Sequence, residues 1–240
     1  MGGKFSFGLF DNIEKDHAIY VNGIRQELVN RKIEYLVHFT RFSNLKSILT
    51  HGLVSVHYCE RWGIEYNAND LDRKDNCRDA VSLSVSFPNY MLFYKFREKF
   101  KNEKWAVILL STDILLKEPC DYFGSNAASG FYREDISDGF WGYSYTFKDT
   151  YKHFKSVFKS NINGITRSDL NIPDFYTTNP QAEILVYGLI PTNYFKAIVF
   201  DDINLCNLYN KEYHELIPGI YKPKLFSYRE DYKFWQKENW

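Results

Sequence analysis

A chain of 240 residues, 45% hydrophobic and 25% charged, can bury a sizeable core as one large domain or two small ones. Its Lys+Arg 30 balance its Asp+Glu 30, which argues against a protein that holds long duplex nucleic acid by bulk charge but leaves a local basic groove open. The four cysteines (Cys59, Cys77, Cys120, Cys206) are widely spaced, so neither a disulfide framework nor a zinc site is expected.

The N-terminus has no signal-like pattern and no apolar run reaches membrane-spanning length, so the expected home is a reducing cytoplasm. The unusual figure is 18% aromatic, with 19 Tyr and 20 Phe, many of them in polar, loop-like stretches. Stacking surfaces for bases or a nicotinamide are one use of such residues, and packing with a hydroxyl handle is the commoner one.

In chain order, residues 1–20 mix aromatic and charged character and read as a tail or surface extension. Ile24, Leu28 and Val29 predict a short helix within 23–32, and residues 33–40 alternate as a strand that carries His38 and Thr40. Ser43 or Asn44 can cap a following helix with Leu45, Ile48 and Leu49 on one stripe and Gly52 at its C-terminus. Residues 53–57 fit a second strand. Residues 59–80 are polar, aperiodic and loop-like, and include Arg73 and Arg78.

A strand follows at 81–87, with Ser82, Ser84 and Ser86 alternating against Val81, Leu83, Val85 and Phe87. A small polar face of this kind suits a ligand lying against it, or simply solvent. Pro88 and Asn89 open a helix to residue 100 that bears Tyr90 and Tyr94, and residues 105–110 read as a buried strand. Residues 120–147 are rich in glycine and aromatics with little regular structure signalled. Residues 151–159 predict a basic helix, and 161–179 are irregular and carry Arg167.

Pro180 suits the entrance of a strand running to Tyr187, on which Gln181, Glu183, Leu185 and Tyr187 share a face. Gln181 and Glu183 would then sit side by side at the strand mouth. There a carboxylate beside an amide could stabilise positive charge or take a proton, though the pattern also fits an exposed strand end. A last core strand spans 197–200, and the tail from Tyr209 is again aromatic and charged.

In combination, the strand ending in His38-x-Thr40, the serine-faced strand with its helix, and Gln181-x-Glu183 resemble the ADP-ribosyltransferase fold. More closely, residues 37–53, 81–94 and 181–187 resemble the DarT family of nucleic-acid ADP-ribosyltransferase toxins. The resemblance implies a single α+β domain with split central sheets, flanking helices and long substrate loops. It places a catalytic domain at 33–205, between an N-terminal extension (1–32) and a C-terminal tail (206–240) packed on the domain.

The resemblance also implies roles. His38 and Thr40 would contact the ribose and nicotinamide amide of NAD, Asn44 would lie toward the adenosine, and Ser84 and Tyr94 would help pack the nicotinamide. Arg73, or failing it Arg78, would act on the pyrophosphate or the incoming base. Glu183 would be the catalytic glutamate, with Gln181 beside the acceptor. Residues 120–179 would form the substrate-recognition segment, where Trp141, Tyr143 and other aromatics could stack bases while Lys155 and Arg167 track the backbone. The same segment could equally be a loop packed on its own side chains.

The implied activity is transfer of ADP-ribose from NAD to a base of single-stranded nucleic acid, without a metal and with release of nicotinamide. DNA is favoured as target and RNA is the variant. The implied setting is a toxin of a toxin–antitoxin or phage-defence system with a cognate antitoxin. A protein-modifying transferase and an inactive binding module are the alternatives.

Overall fold

The computed structural model describes residues 7–67, 77–128, 137–148 and 166–232. Its centre is strand β4 (Trp105–Leu110), six residues that are all buried, which is why they read as an unbroken apolar run. Strand β1 (Leu36–Arg41) lies on one side of it and β9 (Phe195–Phe200) on the other. The remaining strands are β2 (Leu53–Val54), β3 (Ala80–Val85), β5 (Cys120–Phe123), β6 (Ser137–Asp138), β7 (Glu183–Tyr187), β8 (Leu189–Ile190) and β10 (Gly219–Tyr221). Eight of them form one sheet in the order β10-β9-β4-β1-β3-β7-β5-β6, and β2 pairs separately with β8. The mixed helix-and-sheet architecture expected from the sequence is present.

Alternation along the strands sends side chains to two cores. Leu36, Ala106, Ile108 and Leu110 join Ile24 and Leu28 of helix α1 (Phe7–Asn30) on one face. Val37, Val107 and Leu109 join Phe93 of helix α4 (Tyr90–Lys99) on the other. Asn89 caps α4, its side-chain oxygen accepting from Leu92 N–H at 3.2 Å. Helix α2 (Leu45–His51) ends at Gly52, whose φ of 85° is a left-handed conformation that favours glycine.

One departure from regularity shapes everything else. Strand β1 is paired with β4 at all six positions, from Leu36↔Leu110 to Arg41↔Trp105. With β3 it is paired at Leu36↔Val85 and Val37↔Ser84 alone, after which the two strands part. Beyond that point β3 pairs instead with β7, from Leu83↔Ile184 to Ala80↔Tyr187. The sheet is therefore forked between β1 and β3, and this is the split that the sequence resemblance implied.

Several local expectations change. Helix α1 runs 24 residues from Phe7, well beyond the short helix and surface extension read from the sequence. Only residues 53 and 54 of the expected strand at 53–57 are paired as a strand, and helix α3 (Val56–Trp62) follows with Ser55 at its N-cap. The stretch expected to lack regular structure contains β5, β6 and helix α6 (Gly139–Tyr145), and short helix α5 (Ile114–Lys117) precedes it. At the C-terminus, helix α7 (Ile203–Tyr213) leads into β10, which runs parallel to β9. A 3-10 turn at Pro223–Phe226 then buries Leu225 and Phe226 against the α4 side of the sheet. The expected basic helix at 151–159 lies outside the described residues.

Candidate active site

The fork opens into a cleft of about 240 Å³. Its walls come from β1 (residues 37–40), β3 (Ala80, Val81, Ser82, Ser84), α2 with β2, the stretch 64–67, the start of α4 and the mouth of β7. A ladder that stops short leaves backbone groups to be satisfied by other means. His38 does this for β3: its Nδ1 lies 2.9 Å from the Ser82 carbonyl oxygen. A carbonyl only accepts, so the proton sits on Nδ1 and in the neutral ring Nε2 is the acceptor.

Thr40 and Asn44 lie one helical turn apart at the β1–α2 junction and are both buried. Asn44 donates to Thr40 Oγ1 and to the Asn67 carbonyl, both at 3.1 Å, while its Oδ1 accepts from Asn67 N–H at 2.8 Å. This two-point grip on one backbone unit fixes residue 67 against the cleft.

Glu183 is the first residue of β7 and is 6% exposed. Register aligns it with the fork. Phe123 of β5 pairs with it directly, and Ser84 of β3 falls opposite it one step beyond the Leu83↔Ile184 pair. Ser84 in turn pairs with Val37. Residues directly opposite share a face, so Val37, Ser84, Glu183 and Phe123 form a row across four strands. The loop after β5 then folds back over the carboxylate. Ala127 N–H donates to Oε2 at 3.0 Å and Asn126 Nδ2 to Oε1 at 3.4 Å. Asn126 is itself set by accepting from Ala128 N–H at 2.8 Å.

The structure thus brings together five of the residues singled out from the sequence: His38, Thr40, Asn44, Ser84 and Glu183 all line the cleft. Others it places elsewhere. Gln181 does not stand beside Glu183 on a strand. Asn179 accepts from Gln181 N–H through its side chain at 2.8 Å and from Ala182 N–H through its carbonyl at 3.1 Å, so residues 179–182 form a turn. Tyr94 is 49% exposed on the outer side of α4, and the residues of that helix facing the cleft are Leu92 and Phe96, together with its cap Asn89. Arg78 is exposed and paired with Glu60 outside the cleft.

Tyr143 is fully buried between Tyr122 and Phe147, with ring centroids at 5.6 and 5.3 Å, and offers no face to a base. Arg167 is buried too, donating to Thr178 Oγ1 and to the carbonyls of Pro173 and Tyr176 at 2.8–2.9 Å, so it cannot track a nucleic-acid backbone. Arg73 and Lys155 lie outside the described residues, as does the side chain of Trp141.

Sequence reasoning missed Asn126, Asn67, Asn89 and Ser55, all at the cleft. Asn89 had a usable signal as the residue before a helix, whereas Asn67 and Asn126 sit in stretches without period. Asn89 Nδ2 and Ser55 Oγ are buried without a partner among the described residues. Buried polar groups of this kind are normally satisfied, so both are places where a polar ligand fits the wall. Cys59 also lines the cleft, but burial, helped by the Glu60 carboxylate, pushes its thiol up and keeps it a neutral, unreactive hydrophobe. Among the described residues no group of three His, Cys, Asp or Glu side chains could hold a metal ion, and no helix is long and apolar enough to cross a membrane.

Such a cleft can hold a long, polar ligand along its walls while presenting one carboxylate, set at a strand mouth, to a reacting centre. No curated protein sequence matches the chain. Among solved structures, Thermosipho africanus DarTG in complex with ADP-ribose is similar with a TM-score of 0.56 at 19% identity, over 80% of this chain and 51% of that one. The chain thus spans about half the length of that protein. Thermus sp. 2.9 DarT in complex with NAD+ gives 0.51 at 12% identity, over 81% of this chain and 98% of that one. The same Thermus protein in complex with ADP-ribosylated ssDNA gives 0.53 at 11%, over 82% and 97%. At these identities the likeness is one of fold. The family model described as ssDNA thymidine ADP-ribosyltransferase, DarT, matches residues 37–205, a span that holds every strand from the fork to β9, and the chain belongs to that family.

Proposed function

We propose that the cleft binds NAD and that the protein transfers its ADP-ribose to the base of a thymidine in single-stranded DNA. The observation that carries this reading is the position of Glu183: a buried carboxylate held by Ala127 and Asn126, opposite Ser84, in one cleft with His38, Thr40 and Asn44. Support comes from the family match and from the Thermus relative seen with NAD+ and with ADP-ribosylated ssDNA.

In the reaction, the bond between the ribose carbon and the nicotinamide nitrogen breaks, and the ribose passes through an oxocarbenium-like state. Glu183 stabilises that positive charge from a fixed position that needs no reorganisation during the step. Thymine in DNA has a single ring N–H. Its nitrogen forms the new bond to the ribose carbon, and its proton passes to Glu183 within one hydrogen bond or one water. That N–H is used in base pairing and lies within the stack of a duplex, so an unpaired thymine reaches the cleft at lower cost.

His38 and Thr40 serve the ribose and nicotinamide side, and Asn44 acts through its hold on residue 67. None of the described residues lining the cleft is Lys or Arg. We assign the pyrophosphate charge to Arg73, and contact with the DNA strand to Trp141 and Lys155. The protein acts as the toxin of a pair whose antitoxin is a separate protein or domain.

Labelled NAD incubated with an oligonucleotide containing a single thymidine, with the same oligonucleotide lacking it, with RNA and with protein tests the reading. Label confined to the thymidine-bearing DNA is expected. Label on protein or on RNA instead would sink the assignment of the acceptor.

A further inference from the structure

The family match stops at residue 205, yet the chain beyond it reaches back to the segment that leads into the strand carrying Glu183. Arg229 and Asp231 are 3% and 1% exposed and form a two-point ion pair, Nε to Oδ1 at 2.7 Å and Nη2 to Oδ2 at 2.5 Å. The guanidinium has donors left over, as its planar fork allows. Nη1 donates to the Thr177 carbonyl at 3.0 Å and Nη2 to that of Thr178 at 3.5 Å. The same group stands 5.0 Å from the ring of Tyr176.

Arg167 holds the neighbouring positions from its own side, through Thr178 Oγ1 and the Tyr176 carbonyl. A backbone bond from Thr178 N–H to the Thr146 carbonyl at 3.0 Å adds a third hold. Thr177, Thr178 and Asn179 are 4%, 0% and 0% exposed. Asn179 then sets the turn that ends at Glu183, and Thr177 Oγ1 donates to the Asn179 carbonyl at 2.8 Å.

A chain of bonds therefore runs from Asp231 through Arg229 to Thr177 and Thr178, on to Asn179, and into the mouth of β7. Burying an ion pair is costly and adds little to stability by itself, so a pair whose surplus donors all point at one segment is best explained by the placement of that segment.

We propose that the C-terminal segment is a brace for the catalytic strand and that Arg229 is a positioning residue for the transfer step. The inference rests on the reading of Glu183 as the catalytic carboxylate. Arg229 does not line the cleft, so it acts through the height and orientation of the Glu183 side chain. A displacement of about 1 Å at a reacting group can cost roughly a hundredfold in rate.

The test uses the full chain. The double variant Arg229→Met/Asp231→Leu removes both charges, so that neither is left buried alone. Arg229→Lys keeps the charge against Asp231 but loses the planar grip on two carbonyls, and it carries the test should the double variant not fold. Thermal unfolding identifies the folded variants, and kcat and KM for NAD are measured with a thymidine oligonucleotide.

The expected result is a kcat lowered on the order of tenfold to a hundredfold with KM for NAD within about twofold of the wild type. Arg229→Lys should fall between the double variant and the wild type. A folded variant with unchanged kcat, or one whose NAD KM rises while kcat holds, overturns the brace. Glu183→Gln is run beside them. If the wild type is inactive, or Glu183→Gln stays active, the catalytic reading fails and the brace with it. An active, Glu183-dependent wild type with full activity in the Arg229 variants sinks the brace alone.

Discussion

Strand β1 has two edges, and they are used in opposite ways. Against β4 it is closed along its whole length, and Leu36, Val37, Ala106, Val107, Ile108 and Leu110 around that seam are at most 1% exposed. Against β3 it closes for two residues and then opens, and the side chains beyond the opening include His38 and Thr40 beside Phe39 on β1 and Ser82 beside Val81 on β3. Both edges belong to one six-residue strand. The closed edge gains its stability from backbone pairing and apolar burial, while the open edge gives up ladder bonds and gains a cleft whose apolar walls carry a few polar side chains. Withheld pairing is the device that makes the site.

Glu183→Gln is the sharpest way to break that contrast. Removing the charge from the open side should lower the rate of ADP-ribose transfer by on the order of 10²–10⁴-fold while shifting unfolding by less than about 1 kcal/mol. If stability and rate fell together, the open edge would be structural.

The converse change is Ile108→Ala on the closed edge, where Ile108 is fully buried and lies in register with His38. It should cost about 2–5 kcal/mol in urea unfolding and leave kcat of the remaining folded protein unaltered. His38 tests the boundary between the edges. His38→Ala strands the Ser82 carbonyl and should cost about 1–3 kcal/mol as well as activity. His38→Asn, whose Nδ2 occupies the place of the ring Nδ1, should recover the stability without the activity.

A smaller effect is expected at alkaline pH. Burial is the main cause that pushes the Tyr176 hydroxyl, on the segment beside Glu183, up to about 12 from an ordinary 10, with the Glu230 carboxylate adding to it. Glu118, accepting at 2.6 Å, likewise holds Tyr194 up at about 12. A pKa raised in the folded state favours folding fully below the unfolded value. Stability should therefore be intact up to about pH 10 and decline as pH rises toward 12, which denaturant midpoints read alongside tyrosinate absorbance would show.

The smallest effect is expected from Tyr143→Phe. It deletes a buried hydroxyl with no partner among the described residues. Stability should stay within about 1 kcal/mol, and KM for the oligonucleotide should not move. A base stacked on that ring would instead have contributed about 1–3 kcal/mol.

The legible half of the molecule was the half around the fork. β1, α2, β3, α4 and β4 carry plain local signals (alternation in β1 and β3, an apolar stripe in α2, the Asn89 cap of α4, an unbroken apolar run in β4). Their kind and order therefore followed from the pattern, even though β1 starts at Leu36 rather than residue 33, and five cleft residues lay on or beside them or at the mouth of β7. The other half misled for identifiable reasons. The glycine- and aromatic-rich composition of residues 120–147 looks like loop, yet Tyr122, Phe123, Tyr143 and Phe147 are buried as core. Arg167 looked available because an aperiodic stretch gives no sign that the chain will turn and bring the carbonyls of Pro173 and Tyr176 back onto the guanidinium. Asn179-Pro180 is a turn dipeptide, and weighing that signal above the alternation at Gln181 would have started the strand at Glu183. The donors on Glu183 come from another strand's loop, and such long-range pairing has no signature in one sequence.

The small sheet of β2 and β8 has a mechanical meaning. Leu53 pairs with Ile190 and Val54 with Leu189, so the wall that follows α2 is stitched to the chain leaving β7. Ser55 N–H continues the stitch to the Gly188 carbonyl at 3.1 Å, and Gly188 N–H runs on to the Asp79 carbonyl at 2.8 Å, just before β3. At Gly52 a side chain would meet the Ile190 carbonyl at 2.5 Å, so the seam has no slack. The two jaws of the cleft are thereby clamped at a fixed gauge. Widening them along this seam would mean breaking these backbone bonds, so the seam should keep one width whether or not a ligand lies in the cleft.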